Sequence, residues 1–125
     1  METLATSVSK QVPMITVTDV AATLAWYSSL GFKELARFGE DGVLNFGMLA
    51  YGSAELMLSI GKAPARGFSL WFYTDRVDDL YKVLRARQPA LEFTEDIYDT
   101  FYGARQFGIR DINGYDVYFI QPNES

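Results

Sequence analysis

One pattern constrains this chain more than any other, because the chain carries it twice. A β-branched stretch, Val12 to Thr18 (VPMITVT), leads into Asp19 and then DVAATLAWYSSL, where Val20, Leu24 and Tyr27 recur at helical spacing. Gly31 stands where a helix of that phase should stop. Further on, Phe68 to Thr74 (FSLWFYT) leads into Asp75 as the expected cap of a second helix, with Val77, Leu80, Tyr81 and Leu84 on one face. Thr18-Asp19 is echoed by Thr74-Asp75, and Phe46-Gly47-Met48 by Phe107-Gly108-Ile109. A self-similarity offset by about 60 residues means one supersecondary unit used twice.

Each copy completes itself with three strands. In the first, Phe32 to Phe38 is an expected strand, Gly39 to Gly42 a turn, and Val43–Ala50 with Ser53–Ile60 a hairpin turning at Gly52. In the second, Pro89 blocks the helix, Ala90 to Phe93 reads as a short strand, and Thr94 to Phe101 as an acidic loop. The closing hairpin runs from Gln106–Asp111 through Ile112-Asn113-Gly114 to Tyr115–Ile120, with Asn-Gly accepting positive φ cheaply. The expected class is therefore α+β, two βαβββ modules. Residues 1–11 are expected as a flexible extension and 12–125 as a single domain, with module 1 at 12–60, a linker at 61–67 (GKAPARG) and module 2 at 68–121. Pro13 confines the first strand to a sheet edge or a strand start.

Composition narrows the chemistry. The chain has no histidine and no cysteine, which removes Ser-His-Asp and Cys-His catalysis and every metal site that needs imidazole or thiolate. A net charge of −5 argues against nucleic acid as a partner and tolerates a cationic one. No apolar run approaches the roughly 20 residues of a membrane helix, and METLATSVSK lacks the form of a secretory signal. The expectation is a cytoplasmic protein with neither membrane nor nucleic acid as partner.

Two stretches of the second unit, TDRVDDLYKVL and YGARQFGIRDINGYDVYFIQP, join VPMITVTDVAATLAWYSSLGF of the first in a broader likeness. Together they resemble the vicinal oxygen chelate superfamily, the glyoxalase / bleomycin-resistance / extradiol-dioxygenase group. The terminal stretch resembles that group's Gly-x-Arg-x-Phe strand and Asp-Pro-x-Gly turn, with Ile112 in place of the proline. The resemblance implies a curved sheet around a cleft, a homodimer, and in the metal enzymes of the group four ligands, two per unit. Those ligand positions fall at Val12, Met57, Phe68 and Tyr118. Valine, methionine and phenylalanine give a hard or borderline divalent cation nothing to bind, so the resemblance implies the fold while withholding the metal chemistry.

Strand parity maps the expected cleft. Met57 brings Glu55 and Ser59 with it, Tyr118 brings Asp116 and Ile120, and Phe68 brings Leu70 and Phe72, while Trp71 is left for the helix-side core. Phe101 and Tyr102 stand where relatives in the group carry a ligand-stacking aromatic, or else plug the sheet edge. Glu55 and Asp116 either meet a ligand or lie at solvated strand ends. Arg66 reads as a solvated linker residue, and Arg110 with Asp111 as a surface pair. The expected ligand-binding set is Glu55, Met57, Phe68, Phe101, Tyr102, Asp116 and Tyr118, with no catalytic residue, metal or cofactor assigned. An aromatic, apolar lining with carboxylates suits a bulky aromatic or cationic small molecule. The resemblance then implies a binding protein of the bleomycin-resistance kind, associated with antibiotic resistance. The alternative is a metal-free isomerase or lyase of the same superfamily, using Tyr118, Glu55 or Asp116.

Overall fold

Asp19 starts the first helix as its position predicts. Its backbone is extended, and its carboxylate accepts the amide of Ala22 at 2.9 Å, which satisfies one of the open N–H groups of α1 (Val20–Ser29). Gly31 takes φ 107°, and the amides of Leu30 and Gly31 close the last turn onto Tyr27 and Ser28. Val20, Leu24 and Tyr27 are all buried, so the stripe read from their spacing is the packed face. Trp26, off that stripe, is half-buried with its ring edge-on to Tyr27. Residues 7–65, 67–87 and 90–123 are described in this computed structural model. The expectations resting on residues 1–6, Arg66 and Pro89 lie outside them.

The chain divides into two units, Met1–Ile60 and Gly61–Ser125. In the first, β1 (Met14–Val17), β2 (Lys33–Glu40), β3 (Val43–Tyr51) and β4 (Ala54–Ile60) form a sheet ordered β1-β4-β3-β2, with β1 parallel to β4. In the second, β5 (Ser69–Tyr73), α2 (Val77–Arg87), β6 (Phe93–Asp99), β7 (Ala104–Arg110) and β8 (Asp116–Pro122) repeat the arrangement as β5-β8-β7-β6, with β5 parallel to β8. The fold is α+β, two βαβββ modules. Pro13 stands just outside β1, an edge strand, where a missing N–H costs no ladder bond.

Each sheet is packed on one face by its own helix. In the first unit Ile15, Val17, Leu49, Leu56 and Leu58 are buried with the α1 stripe. In the second, Tyr81 of α2 meets Phe93 and Phe107 edge-on, and Phe107 stacks on Phe119, which stacks on Phe72. Full burial of such a side chain stabilises by about 1.5–3 kcal/mol, so these faces carry the stability of each unit.

Several local expectations are corrected. Thr94 to Phe101 is not a loop: Phe93–Asp99 is strand β6, paired antiparallel with β7 through two irregularities. Acidic residues disfavour central strands, but β6 is an edge, where charge keeps other strands away. Asp75 does not cap α2, which begins at Val77. The Val77 amide donates instead to the side chain of Gln121, on β8, at 3.0 Å, and Arg76 N–H to Thr74 Oγ1. Of the Asn-Gly pair only Gly114 uses positive φ, at 92°. Asp111 is no surface partner of Arg110. Its carboxylate is buried and accepts the amides of Asn113 and Tyr115 at 2.8 and 2.9 Å, building the turn from within.

The Phe-Gly echo is also out of phase by one residue. Gly47 pairs with Leu58 on the helix side, where Leu24 lies 3.0 Å from the position a Cβ would take. Gly108 pairs with Tyr118, and an added Cβ there would meet Thr94 Oγ1 at 2.7 Å and the Tyr118 ring at 2.9 Å. One glycine admits a helix; the other admits an aromatic ring on the opposite face.

Candidate functional site

The face of each sheet turned away from its helix can be read in rows, because neighbouring strands place register partners on the same side. In the first unit Met14, Met57, Met48 and Ala36 form one row across β1, β4, β3 and β2. In the second the matching row is Trp71, Tyr118, Gly108 and Glu95 across β5, β8, β7 and β6. Beside the latter row Gln106 pairs with Tyr98 on β6.

This second row overturns the expected parity of β5. Trp71, not Phe68, shares a face with Tyr118: the rings stack with centroids 4.1 Å apart and planes 14° from parallel. Leu70 and Phe72 instead partner Val117 and Phe119 on the helix side. Phe68, of their parity, sets its ring edge-on to Tyr115, 6.0 Å away. The reason lies in the strand itself. FSLWFYT is apolar on both sides, so its pattern gives no inward direction, and only pairing with β8 selects one. Trp71 remains 43% exposed, and its indole N–H donates to Ser69 Oγ.

The expected carboxylates are engaged. Glu55 accepts from Lys10 Nζ at 2.6 Å. Asp116 lies 3.2 Å from Arg110, whose guanidinium also reaches Glu92 at 2.9 Å. Met57 lies on the corresponding face of the first unit, between Met14 and Met48. Phe101 is 99% exposed at the tip between β6 and β7, its ring edge-on to Tyr102. The Tyr102 hydroxyl turns back to donate to Gln106 Oε1. Of the expected residues, the second unit thus brings Tyr118 and Tyr102 onto one face with Trp71, Glu95, Tyr98 and Gln106.

Those four additions were missed for two reasons. Reading 94–101 as a loop removed Glu95 and Tyr98 from any strand parity, and the β5 parity hid Trp71. Gln106 carried a usable signal: it has the same parity as Gly108 and the opposite parity to Phe107 and Ile109, so it belongs opposite the helix. It is nonetheless only 2% exposed, because Glu95, Tyr98 and Tyr102 surround its carboxamide.

The electrostatics follow. Desolvation raises the Tyr118 phenol above its ordinary pKa, and the charges of Glu95 and Asp116 add to the rise. Tyr98 is raised for the same first cause, with Glu95 next and hydrogen bonding to Tyr102 contributing. Both therefore stand as neutral donors at neutral pH.

The residues do not fit the metal of the resembling enzymes. Val12, Met57 and Phe68 offer no oxygen or nitrogen side-chain donor, and moving the third position to Trp71 adds none. Among the described residues, no group of three or more His, Cys, Asp or Glu is placed to hold a metal ion.

Comparison with known proteins agrees with this architecture. A glyoxalase-related enzyme from Clostridium phytofermentans has a similar structure, with a TM-score of 0.77, 23% identity, and coverage of 92% of this chain and 95% of that one. The bleomycin resistance determinant encoded on transposon Tn5 gives a TM-score of 0.75 at 20% identity, covering 94% and 100%. The bleomycin-binding protein from Streptomyces verticillus, solved with copper(II)-bleomycin, gives 0.70 at 24% identity, covering 94% and 98%. No curated protein sequence matches the chain. The sequence model of one family matches residues 11–119, nearly the whole length, and the chain belongs to that family, the Glyoxalase/Bleomycin resistance protein/Dioxygenase superfamily.

Proposed function

We propose that the chain is a metal-independent binding protein that sequesters a bulky aromatic or cationic small molecule without modifying it. The observation that carries this is the Trp71–Tyr118 stack, partly exposed and in the same cross-strand row as Glu95. Parallel aromatic faces favour flat ligands and attract positive charge through their quadrupoles. The ion pairs of Glu55 and Asp116 argue against their use as general bases, which favours binding over acid–base chemistry. The likeness to a protein solved with copper(II)-bleomycin makes glycopeptides of that class the first probes. An antibiotic-resistance role in the cytoplasm, exercised by a homodimer, belongs to the same proposal, and light scattering on the purified protein tests the dimer.

The experiment is tryptophan quenching in a W26F background, where Trp71 is the reporter. Saturable quenching by bleomycin or a planar cationic drug, weakened at least about tenfold in Y118A, which removes the stacking partner and keeps the reporter, is the expected result. No saturable quenching across both classes would refute the proposal.

A further inference from the structure

Gln106 is a buried carboxamide in the middle of a strand, and its hydrogen bonds fix what its neighbours can offer. A carboxylate only accepts, so the atom facing Glu95 Oε1 at 3.0 Å is the amide nitrogen. The same nitrogen donates to Tyr98 Oη at 3.3 Å, which uses both of its hydrogens. Gln106 Oε1 takes the Tyr102 proton. The carboxamide is thereby saturated: Tyr102 gives its proton to Gln106, and Tyr98 and Glu95 each accept one of the amide hydrogens. What the cluster presents outward is Glu95, an acceptor on every lone pair that Gln106 leaves open. Glu55 and Asp116 each have a cationic partner, whereas among the described residues no ion pair engages Glu95.

Glu95 is also brought close to the aromatic pair. Gly108, the residue between it and Tyr118 in the row, carries no side chain, and the Tyr118 ring leans over that glycine. A ligand against the Trp71–Tyr118 pair therefore meets aromatic faces on one side and an uncompensated carboxylate on the other.

We propose that Glu95, held in place by Gln106, is the residue that selects ligands by charge, so that the site takes flat aromatic cations bearing N–H donors and rejects flat anions. This rests on the binding function proposed above. Gln106 is a positioning residue in it: its N–H anchors one carboxylate oxygen and leaves the other to the ligand.

Three acridines of one ring size test the selection: 9-aminoacridine as the cation, acridone as the neutral form and acridine-9-carboxylate as the anion. Each is titrated against Trp71 fluorescence in the W26F protein. The cation is expected to bind at least about tenfold tighter than acridone, as one charge-assisted contact at a partly desolvated site allows, with the anion weakest. In E95Q, where the new carboxamide oxygen can still accept from Gln106, the preference should fall to about twofold or less, because the cation loses far more affinity than acridone does. Q106L should also shrink the preference, by releasing Glu95. Equal affinities in the parent protein, or a preference that survives E95Q, would overturn the selection while leaving binding intact. If none of the three quenches Trp71, this inference fails, while the binding proposal is decided by the bleomycin titration.

Discussion

Gly108→Ala puts one methyl group where the second unit has least space for it. The Cβ would lie 2.7 Å from Thr94 Oγ1 and 2.9 and 3.1 Å from Cε1 and Cδ1 of Tyr118. A phenol ring cannot yield as a flexible chain end does, so it must tilt away, and its stack on Trp71 loosens. Overpacking of this kind costs about 1–3 kcal/mol. Loss of the ring pair adds about 0.5–1.5 kcal/mol. Opposing these, alanine reduces the freedom of the unfolded chain and returns about 0.4–1 kcal/mol, since Gly108 does not use positive φ. The net expectation is a destabilisation of about 0.5–4 kcal/mol. Urea denaturation in the W26F background measures it, and the shift of Trp71 emission in the folded baseline reports the loosened stack. Gly47→Ala is the control: its methyl meets Leu24 on the helix side, so folded-state Trp71 emission should not change whatever its effect on stability. A G108A protein within about 0.5 kcal/mol of its parent, with unaltered Trp71 emission, would refute the placement of Tyr118 over Gly108.

Three further outcomes follow from the geometry. Asp111→Ala leaves the amides of Asn113 and Tyr115 without their acceptor and should cost about 2–3 kcal/mol in urea unfolding, with D111N recovering part because its oxygen still accepts. Gln121→Ala removes the acceptor for the first amide of α2 and should cost about 1 kcal/mol, with increased exchange of the Val77 N–H seen by hydrogen-exchange NMR. Tyr98 and Tyr118 have folded pKa values raised above their unfolded value of 10.0, so the stability they contribute is complete below that pH and is lost as pH rises through the folded values. Ultraviolet titration of the phenolates should therefore show a late-ionising fraction that shrinks in Y98F/Y118F; an unchanged late fraction in that variant would sink this.

Much of the fold was legible because its signals are local. The Asp19 cap, the α1 stripe and the Gly31 stop are each set within a turn of helix, and all three hold in the structure. The α2 stripe holds as well, with Val77 and Leu84 buried. The cap of α2 did not, because its acceptor, Gln121, comes from a strand 44 residues away in sequence. The site was less legible for the same reason. Its members lie on four strands, and two of those strands were ambiguous: β5 is apolar on both sides, and β6 is acidic enough to pass for a loop.

The sequence by itself determined the repeat, the class, both helical faces and the lack of imidazole and thiolate. These follow from periodicity, turn chemistry and composition, which need no neighbours to act. Only the tertiary structure decided which side of β5 turns toward Tyr118, that Asp111 is buried, and that Glu95, unlike Glu55 and Asp116, has no ion-pair partner among the described residues. Each depends on the register of one strand against another. With a side-chain period of two, a single step of register exchanges the face that packs for the face that binds.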